Sequence, residues 1–219
     1  MTRILIAGSS GMVGSLILKE AIASNTVREI ILLNRTSAKK LPEKVKEVIH
    51  ADFENFDGLE NDFSNISAAF FCIGVYTGKV DRDRFRKINI DLPVSFGRFL
   101  KSNSPNARFC FLSGAGADRT EKSRIAFAKD KGIAENKLSA MDFRGFHSFR
   151  PGYIYPVTKR EEPNFSYQLM RYLYPLLRLF GKNASIKSTE LAKAMVKVGL
   201  EGGESEIYEN REIRELIAP

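Results

Sequence analysis

The sequence predicts an α/β protein with a doubly wound parallel sheet and a small helical cap formed by its C-terminal part. Two features predict this class. Short apolar runs alternate with segments of helical periodicity, and a glycine-rich turn joins the first run to the first helix. Because the apolar runs are continuous, as in strands that are buried on both faces, the alternation implies parallel strands joined by right-handed crossovers.

The first strand, at residues 3–7, ends at Gly8, and a helix is predicted at 12–24, where apolar side chains recur with the helical period. The same alternation continues along the chain. It predicts strands at 30–33, 47–50, 68–73, 108–112 and 146–149, and helices at 81–101 and 123–141. The last of these strands runs into the turn Arg150-Pro151-Gly152.

Beyond Pro156 the pattern changes to loops and two helices, at about 167–180 and 189–200. We expect residues 156–219 to form a cap over the carboxyl edge of the sheet, where such folds bind ligands, and residues 1–219 to form a single domain. The helix at 167–180 is aromatic, apolar and mildly basic. It is too short and too charged to span a bilayer, and packing on the sheet, a homodimer face and membrane-surface contact all remain open.

Composition narrows the function classes. With 43% hydrophobic and 27% charged residues in 219, the chain has the balance of a soluble globular protein. The net charge of +8 is scattered, and no nucleic-acid-binding motif accompanies it, so a nucleic-acid partner is not expected. Cys72 and Cys110 each lie in an apolar run without metal-ligand spacing, so neither a disulfide nor a metal is expected. Without a signal peptide, the expected location is cytoplasmic.

The turn Gly8-Ser-Ser-Gly11-Met-Val-Gly14 lies between the first strand and the first helix. The first glycine permits a tight turn, the second lets the backbone approach a pyrophosphate, and the third lets the helix pack closely on the strand. Amides at the helix start then hold the phosphates. The turn therefore predicts a Rossmann dinucleotide site at Gly8, Ser10, Gly11, Met12, Val13 and Gly14; the alternative is a turn without a ligand.

The end of the second strand decides between NADP(H) and NAD(H). An NAD site places an acidic residue there to bind the ribose hydroxyls, whereas this chain has Asn34-Arg35. Arginine offers a permanently charged fork suited to the 2′-phosphate, so NADP(H) is favoured. The alternative for Arg35 is a solvated loop cation.

Two further strand ends are predicted to contact the cofactor. After the third strand, Asp52 is expected to accept a hydrogen bond from the adenine amino group and Phe53 to cover the ring, although Asp52 is equally suited to cap a helix. After the fourth strand, Cys72-Ile73-Gly74 is expected to let the backbone pass near the adenine ribose.

Several segments with matching spacing carry a resemblance to a known family. They are Gly8 to Gly14, Asp52-Phe53, Cys72 to Lys79, Leu112-Ser113 to Asp118, Lys131-Gly132 and Phe149 to Gly152. Together they resemble the short-chain dehydrogenase/reductase superfamily, specifically the atypical NADPH-binding branch that includes the Tat-interactive protein-like oxidoreductases. The resemblance covers most of the chain.

The resemblance implies a catalytic set of serine, tyrosine and lysine, with the tyrosine four residues before the lysine. Ser113 and Lys131 match, but Phe127 occupies the tyrosine position and cannot exchange a proton. It also implies that Lys131 binds the nicotinamide ribose and that Pro151, Gly152 and Tyr153 run beside the nicotinamide. Tyr76 is the preferred substitute proton donor.

These expectations define an NADPH-binding oxidoreductase that acts on a small carbonyl compound, with altered proton donation. Two alternatives remain open. One is an NADP(H)-sensing or protein-interaction protein that has lost catalysis, an alternative that Phe127 at the tyrosine position supports. The other is a nucleotide-sugar epimerase or dehydratase, which the fold permits but the short C-terminal part and missing tyrosine disfavour.

Overall fold

The computed structural model describes residues 2–37, 40–157 and 184–218. Its strands are β1 (Thr2–Ala7), β2 (Val27–Asn34), β3 (Val45–Ile49), β4 (Ala68–Phe71), β5 (Arg108–Leu112), β6 (Gly145–Arg150), β7 (Tyr153–Tyr155), β8 (Ser185–Lys187) and β9 (Ile207–Glu209). Its helices are α1 (Met12–Ala23), α2 (Glu60–Phe63), α3 (Arg82–Arg86), α4 (Leu92–Asn103), α5 (Ala126–Ser139), α6 (Ser188–Glu201) and α7 (Asn210–Glu215), with a π-helical turn, Lys87–Asp91, between α3 and α4.

One parallel sheet organises the described part of the chain, with the strand order β3-β2-β1-β4-β5-β6-β9. The chain moves outward from β1 through β2 and β3, and then crosses back to β4 on the other side of β1. The predicted doubly wound fold is confirmed. The reversal between β1 and β4 opens a crevice at the carboxyl ends of these strands, where folds of this kind bind ligands.

Helices cover both faces of the sheet because successive strand residues point to opposite faces. In β1, Ile4 packs in one core with α1 and α6, whereas Leu5 packs in the other with α4 and α5. Both side chains are fully buried. Burial of one such side chain stabilises the fold by about 1.5–3 kcal/mol, so the two cores fix the sheet from which the strand ends project.

The helix predicted at 81–101 is divided by the π-helical turn. At its start the Asp81 carboxylate accepts a hydrogen bond from the amide of Arg84 at 2.8 Å, which caps α3. Within the turn the side-chain amide of Asn89 donates a hydrogen bond to the backbone carbonyl of Phe85 at 2.9 Å. Such turns often occur at functional sites, and this one brings Asn89 to the cavity described below.

The described C-terminal residues differ in position from the expected cap. Helix α6 lies on the face of the sheet beside α1, because one of its sides is apolar and Gly199 allows close contact with the ring of Phe70. Strand β9 then pairs with β6 as the last strand of the sheet. Residues 184–218 therefore extend the sheet layers, and the cap expected from residues 156–219 stays a prediction. The helix predicted at 167–180 lies outside the described residues.

Candidate functional site

A cavity of about 610 Å³ opens at the carboxyl ends of β1, β4, β5 and β6. It extends from the first turn of α1, past the ends of β4 and β5, to the turn after β6. The residues lining it are Gly11, Met12, Val13, Cys72, Ile73, Gly74, Val75, Tyr76, Thr77, Asn89, Leu112, Ser113, Gly114, Ala115, Phe127, Lys131, Pro151, Gly152, Tyr153, Ile154 and Pro156. The structure thus brings most of the predicted site residues to one space.

The glycine turn has the geometry that the spacing predicts. Gly8 has a φ of +87°, a conformation that favours glycine. The backbone amide of Gly11 donates a hydrogen bond to the carbonyl of Gly8 at 3.0 Å. A Cβ on Gly14 would lie 2.2 Å from that carbonyl oxygen, so only glycine lets α1 pack on the turn. Ser10 lies exposed on the turn and does not line the cavity.

The start of α1 faces the cavity with its backbone. Gly11 is the N-cap and has no side chain to bond the first amides, and the next residues, Met12 and Val13, carry no charge. The first amides of a helix lack intrahelical acceptors and attract anions. This edge of the cavity therefore suits the pyrophosphate of a dinucleotide.

Asn34 and Arg35 take different positions at the end of β2. Asn34 is buried: its Oδ1 accepts from the Ser9 hydroxyl at 2.7 Å, and its Nδ2 donates to Glu47 at 2.7 Å. The Asn34 side chain therefore connects the glycine turn to β3. Arg35 is exposed, as a residue that meets a phosphate at the edge of a crevice would be.

Asp52 and Phe53, which were expected beside the adenine, do not line the cavity. The Phe53 ring is buried in the second core, 5.9 Å from the ring of Phe56, since it is one of the phenylalanines that fill this face of the sheet. The Asp52 carboxylate accepts from the amide of Glu54 at 3.0 Å, which makes it a local turn residue.

Ser113 ends β5 at the cavity, but its hydroxyl points to α5. Its Oγ donates to the Glu135 carboxylate at 2.6 Å, and Glu135 is fully buried. The same carboxylate accepts from Ser148 at 2.7 Å and from the guanidinium groups of Arg119 and Arg150, each at 3.0 Å. Burial alone would raise the pKa of Glu135, yet the hydrogen bonds from Arg150, Ser113 and Ser148 hold this pKa below its usual value.

Lys131 lies one helical turn after Phe127 and is 4% exposed. Its ammonium donates to the carbonyl of Leu112 at 3.2 Å and lies 4.6 Å from the ring centroid of Phe111. Burial lowers the pKa of Lys131 to about 8, although the carboxylate of Glu135 partly opposes the shift. Burial also raises the pKa of the nearby Cys72 thiol to about 12.

Phe127 occupies the expected tyrosine position beside the cavity. A Cβ on Gly114 would lie 2.5 Å from the Phe127 ring, so the ring rests directly on the backbone that follows Ser113. Tyr76 lines the cavity from the loop after β4. Phe127 therefore provides an apolar ring at the position where the family has a tyrosine, and the phenol of Tyr76 lies in the loop after β4.

The turn after β6 is held by a residue that the sequence did not suggest. The buried side chain of Asn210 accepts from the amide of Gly152 at 2.8 Å and donates to the carbonyl of Ser185 at 3.0 Å. The carbonyl of Pro151 accepts from the amide of Ala115 at 3.0 Å. These bonds fix Pro151, Gly152 and Tyr153 as one wall of the cavity.

Glu135 is the other important residue that the sequence did not reveal. It follows Lys131 by one helical turn and lies on the same face of α5, and a buried charge on a helix requires partners. That spacing was the available signal. Its partners come from β6 and from the loop before α5, which are distant in sequence, so only the fold identifies them.

No protein-family model matches the chain. HTATIP2 of Rattus norvegicus is 24% identical over 218 residues, which cover 97% of this chain and 88% of that protein. FMP52-1, a mitochondrial protein of Scheffersomyces stipitis, is 24% identical over 223 residues, which cover 96% of each chain. The crystal structure of Gre2 from Candida albicans, in complex with NADPH, matches with a TM-score of 0.71 at 12% identity, over 95% of this chain and 78% of Gre2.

The sheet order, the glycine turn and the cavity at the strand ends define a Rossmann-type α/β protein. The likeness to HTATIP2 and FMP52-1 extends over nearly the whole chain. In sequence and fold the chain resembles the atypical short-chain dehydrogenase/reductases.

Within residues 2–37, 40–157 and 184–218, no helix has the length and apolar character that crossing a membrane requires. FMP52-1 is a mitochondrial protein by name, so the cytoplasmic location of this chain stays a prediction.

Proposed function

We propose that the protein binds NADP(H) in the strand-end cavity and acts as an oxidoreductase on a small carbonyl compound. One observation carries this proposal. The first turn of α1, Ser113, Lys131 and the Pro151-Gly152 turn all open into the same space. A phosphate-binding edge and a pair of polar side chains thus share one cavity, as hydride transfer from a bound dinucleotide requires.

From one end of the cavity to the other, the lining residues suit the successive groups of a dinucleotide. The amides at the start of α1 suit the pyrophosphate, and the exposed guanidinium of Arg35 suits a 2′-phosphate. The Lys131 ammonium suits the hydroxyls of the nicotinamide ribose, and the backbone at Pro151 and Gly152 suits the carboxamide. The bound nicotinamide would supply the hydride. Gre2 holds NADPH in the same fold, which supports this choice of cofactor.

The side chains at the reacting end of the cavity are proposed to exclude water and to bind the substrate. Phe127 and Ile73 make the reacting end of the cavity apolar, which keeps water away from the transferred hydride. Lys131 and Tyr76 are the polar side chains proposed to donate to the substrate oxygen, and Ser113, whose hydroxyl donates to Glu135, lines the space beside them. The substrate class that suits this space is a small carbonyl compound.

Calorimetry on the full chain tests the cofactor assignment. We expect NADPH to bind more tightly than NADH, and mass spectrometry to find NADP(H) in protein purified without added nucleotide. Absence of binding by either nucleotide to folded protein would refute the proposal. A spectrophotometric assay with NADPH and 4-nitrobenzaldehyde then tests turnover.

A second candidate function is an NADP(H)-sensing or interaction protein. It is favoured by the Phe127 ring, which stands where the family's proton donor belongs. Binding of NADPH without turnover of any of a panel of aldehydes, ketones and quinones would favour this second function over the first.

A further inference from the structure

The cavity contains an acid that can replace the missing phenol. We propose that Lys131 itself donates the proton to the substrate oxygen during carbonyl reduction. This inference rests on the proposed function, because it assigns a role within that reaction.

Location is the first support. Lys131 follows Phe127 by one turn on the same helix face, and both side chains line the cavity. The Lys131 ammonium contacts the carbonyl of Leu112, the residue before Ser113. It therefore lies at the end of β5, beside the position that the phenol would occupy.

The second support is the hydrogen-bonding capacity of the ammonium. An ammonium group has three N–H donors. In the described part of the chain its one hydrogen-bond acceptor is the Leu112 carbonyl, and the Phe111 ring lies on another side. Donors therefore remain for a ligand in the cavity.

The third support is that Ser113 cannot supply the proton. Its hydroxyl hydrogen is already donated to Glu135, whose negative charge is held by Arg119 and Arg150. Ser113 thus presents lone pairs to the cavity and can orient a donor such as the Lys131 ammonium or a substrate hydroxyl. Within the catalytic set that the resemblance implies, Ser113 therefore acts as a hydrogen-bond acceptor.

The acidity of Lys131 suits the task. Because burial lowers its pKa to about 8, the ammonium is charged at neutral pH yet gives up a proton readily. The Cys72 thiol, with a pKa raised to about 12, is a much weaker acid. The hydride supplied by NADPH, which is thereby oxidised to NADP⁺, would form the new C–H bond. The carbonyl π pair moves to oxygen, and that oxygen takes a proton from Nζ, so the carbonyl compound is reduced to an alcohol. Solvent then returns a proton to the neutral amine.

Single-turnover hydride transfer from saturating NADPH to 4-nitrobenzaldehyde tests the proposal in the full chain. We expect Lys131→Ala to lower the rate at pH 7 by about 100-fold or more, as loss of a general acid does. The matched control Lys129→Ala removes an exposed lysine of the same helix and should retain the wild-type rate. Propylammonium in the buffer should restore part of the Lys131→Ala rate, which loss of a structural contact would not allow.

The pH profile and a measurement without turnover complete the test. The wild-type rate should fall above about pH 8, and ¹³Cε-lysine NMR of the free protein should show one lysine, absent from Lys131→Ala, that titrates near the same pH. Titration near the ordinary value of 10.5 would overturn the proposal even if no carbonyl compound is turned over. A wild-type rate in Lys131→Ala together with a large loss of rate in Tyr76→Phe would also overturn the proposal. That result would support the proposed NADPH-dependent reduction but would assign proton donation to Tyr76.

Discussion

The hydroxyl of Ser113 and the buried carboxylate of Glu135 are joined by a 2.6 Å hydrogen bond, with the serine as donor. This bond connects the end of β5 to the middle of α5, so it fixes the two elements that carry Ser113 and Lys131. It also settles the direction in which the serine hydrogen points. The chemistry of the cavity therefore depends on a residue that does not line it.

Removal of the Glu135 charge should destabilise the fold. Glu135→Leu would leave the partly buried guanidinium of Arg150 without its main counterion, and a broken buried pair costs about 3–5 kcal/mol. Glu206→Gln, which affects a more exposed partner of Arg119, should cost at most about 1 kcal/mol. Urea unfolding measures both values; equal losses for the two variants would contradict the role assigned to Glu135.

The Glu135 contribution should also depend on pH in the acidic range. Its pKa is lower in the folded chain than the unfolded value of 4.5, so its stabilising effect is present above pH 4.5 and is lost as the pH falls through the folded pKa. The difference in unfolding free energy between wild type and Glu135→Gln should shrink below pH 4.5. A difference that stays constant from pH 7 to pH 3 would argue against this assignment.

Gly14→Ala should damage the glycine turn. Its Cβ would lie 2.2 Å from the carbonyl oxygen of Gly8, and such overpacking costs about 1–3 kcal/mol. NADPH affinity should fall as well, because α1 would have to move away from the turn. Gly74→Ala is the control for stability alone, because no described atom lies within 4 Å of its new Cβ but Gly74 itself lines the cavity; thermal unfolding should separate the two variants.

Arg35→Ala should weaken NADPH binding without a comparable effect on NADH. A hydrogen-bonded charge pair contributes about 1.5–3 kcal/mol, which corresponds to roughly 10- to 100-fold in affinity. Arg28→Ala removes an exposed arginine near the opposite end of β2 and should leave both affinities unchanged. Calorimetry with both nucleotides would show the outcome, and an equal loss for NADH would assign Arg35 to another role.

Phe127→Tyr should add a second proton donor at the family position. We expect reduction of 4-nitrobenzaldehyde to accelerate by about 10-fold or more at pH 7, and to persist at pH 9, where a phenol remains protonated. Phe127→Leu keeps the position apolar and should show no gain. An unchanged rate and pH profile in Phe127→Tyr would show that a phenol there does not reach the substrate oxygen.

The sequence predicted the fold and the phosphate-binding edge because these depend on local patterns. Strand β5 was predicted with its observed bounds, and the glycine spacing located the turn before α1. Strands β8 and β9 were not predicted, since three residues are too few to show a periodicity.

The side-chain orientations could not be predicted in the same way. Phe53 was expected beside adenine but packs in the core, and Asn34, which was expected at the cofactor site, bonds Ser9 and Glu47. Which partner such a residue finds depends on neighbouring strands, so a strand-end position in the sequence does not determine where its side chain points.

The wall formed by Pro151 and Gly152 is completed by residues 207–210, which lie far from it in the sequence. Strand β9 pairs with β6, and Asn210 bonds the amide of Gly152. During synthesis the N-terminal strands can associate early, but β6 cannot pair with β9 until residues 207–210 have left the ribosome. The pocket is therefore completed only after residues 207–210 have been synthesised, and a chain cut before residue 207 would keep the paired strands β1 to β6 but lose the residue that holds this wall.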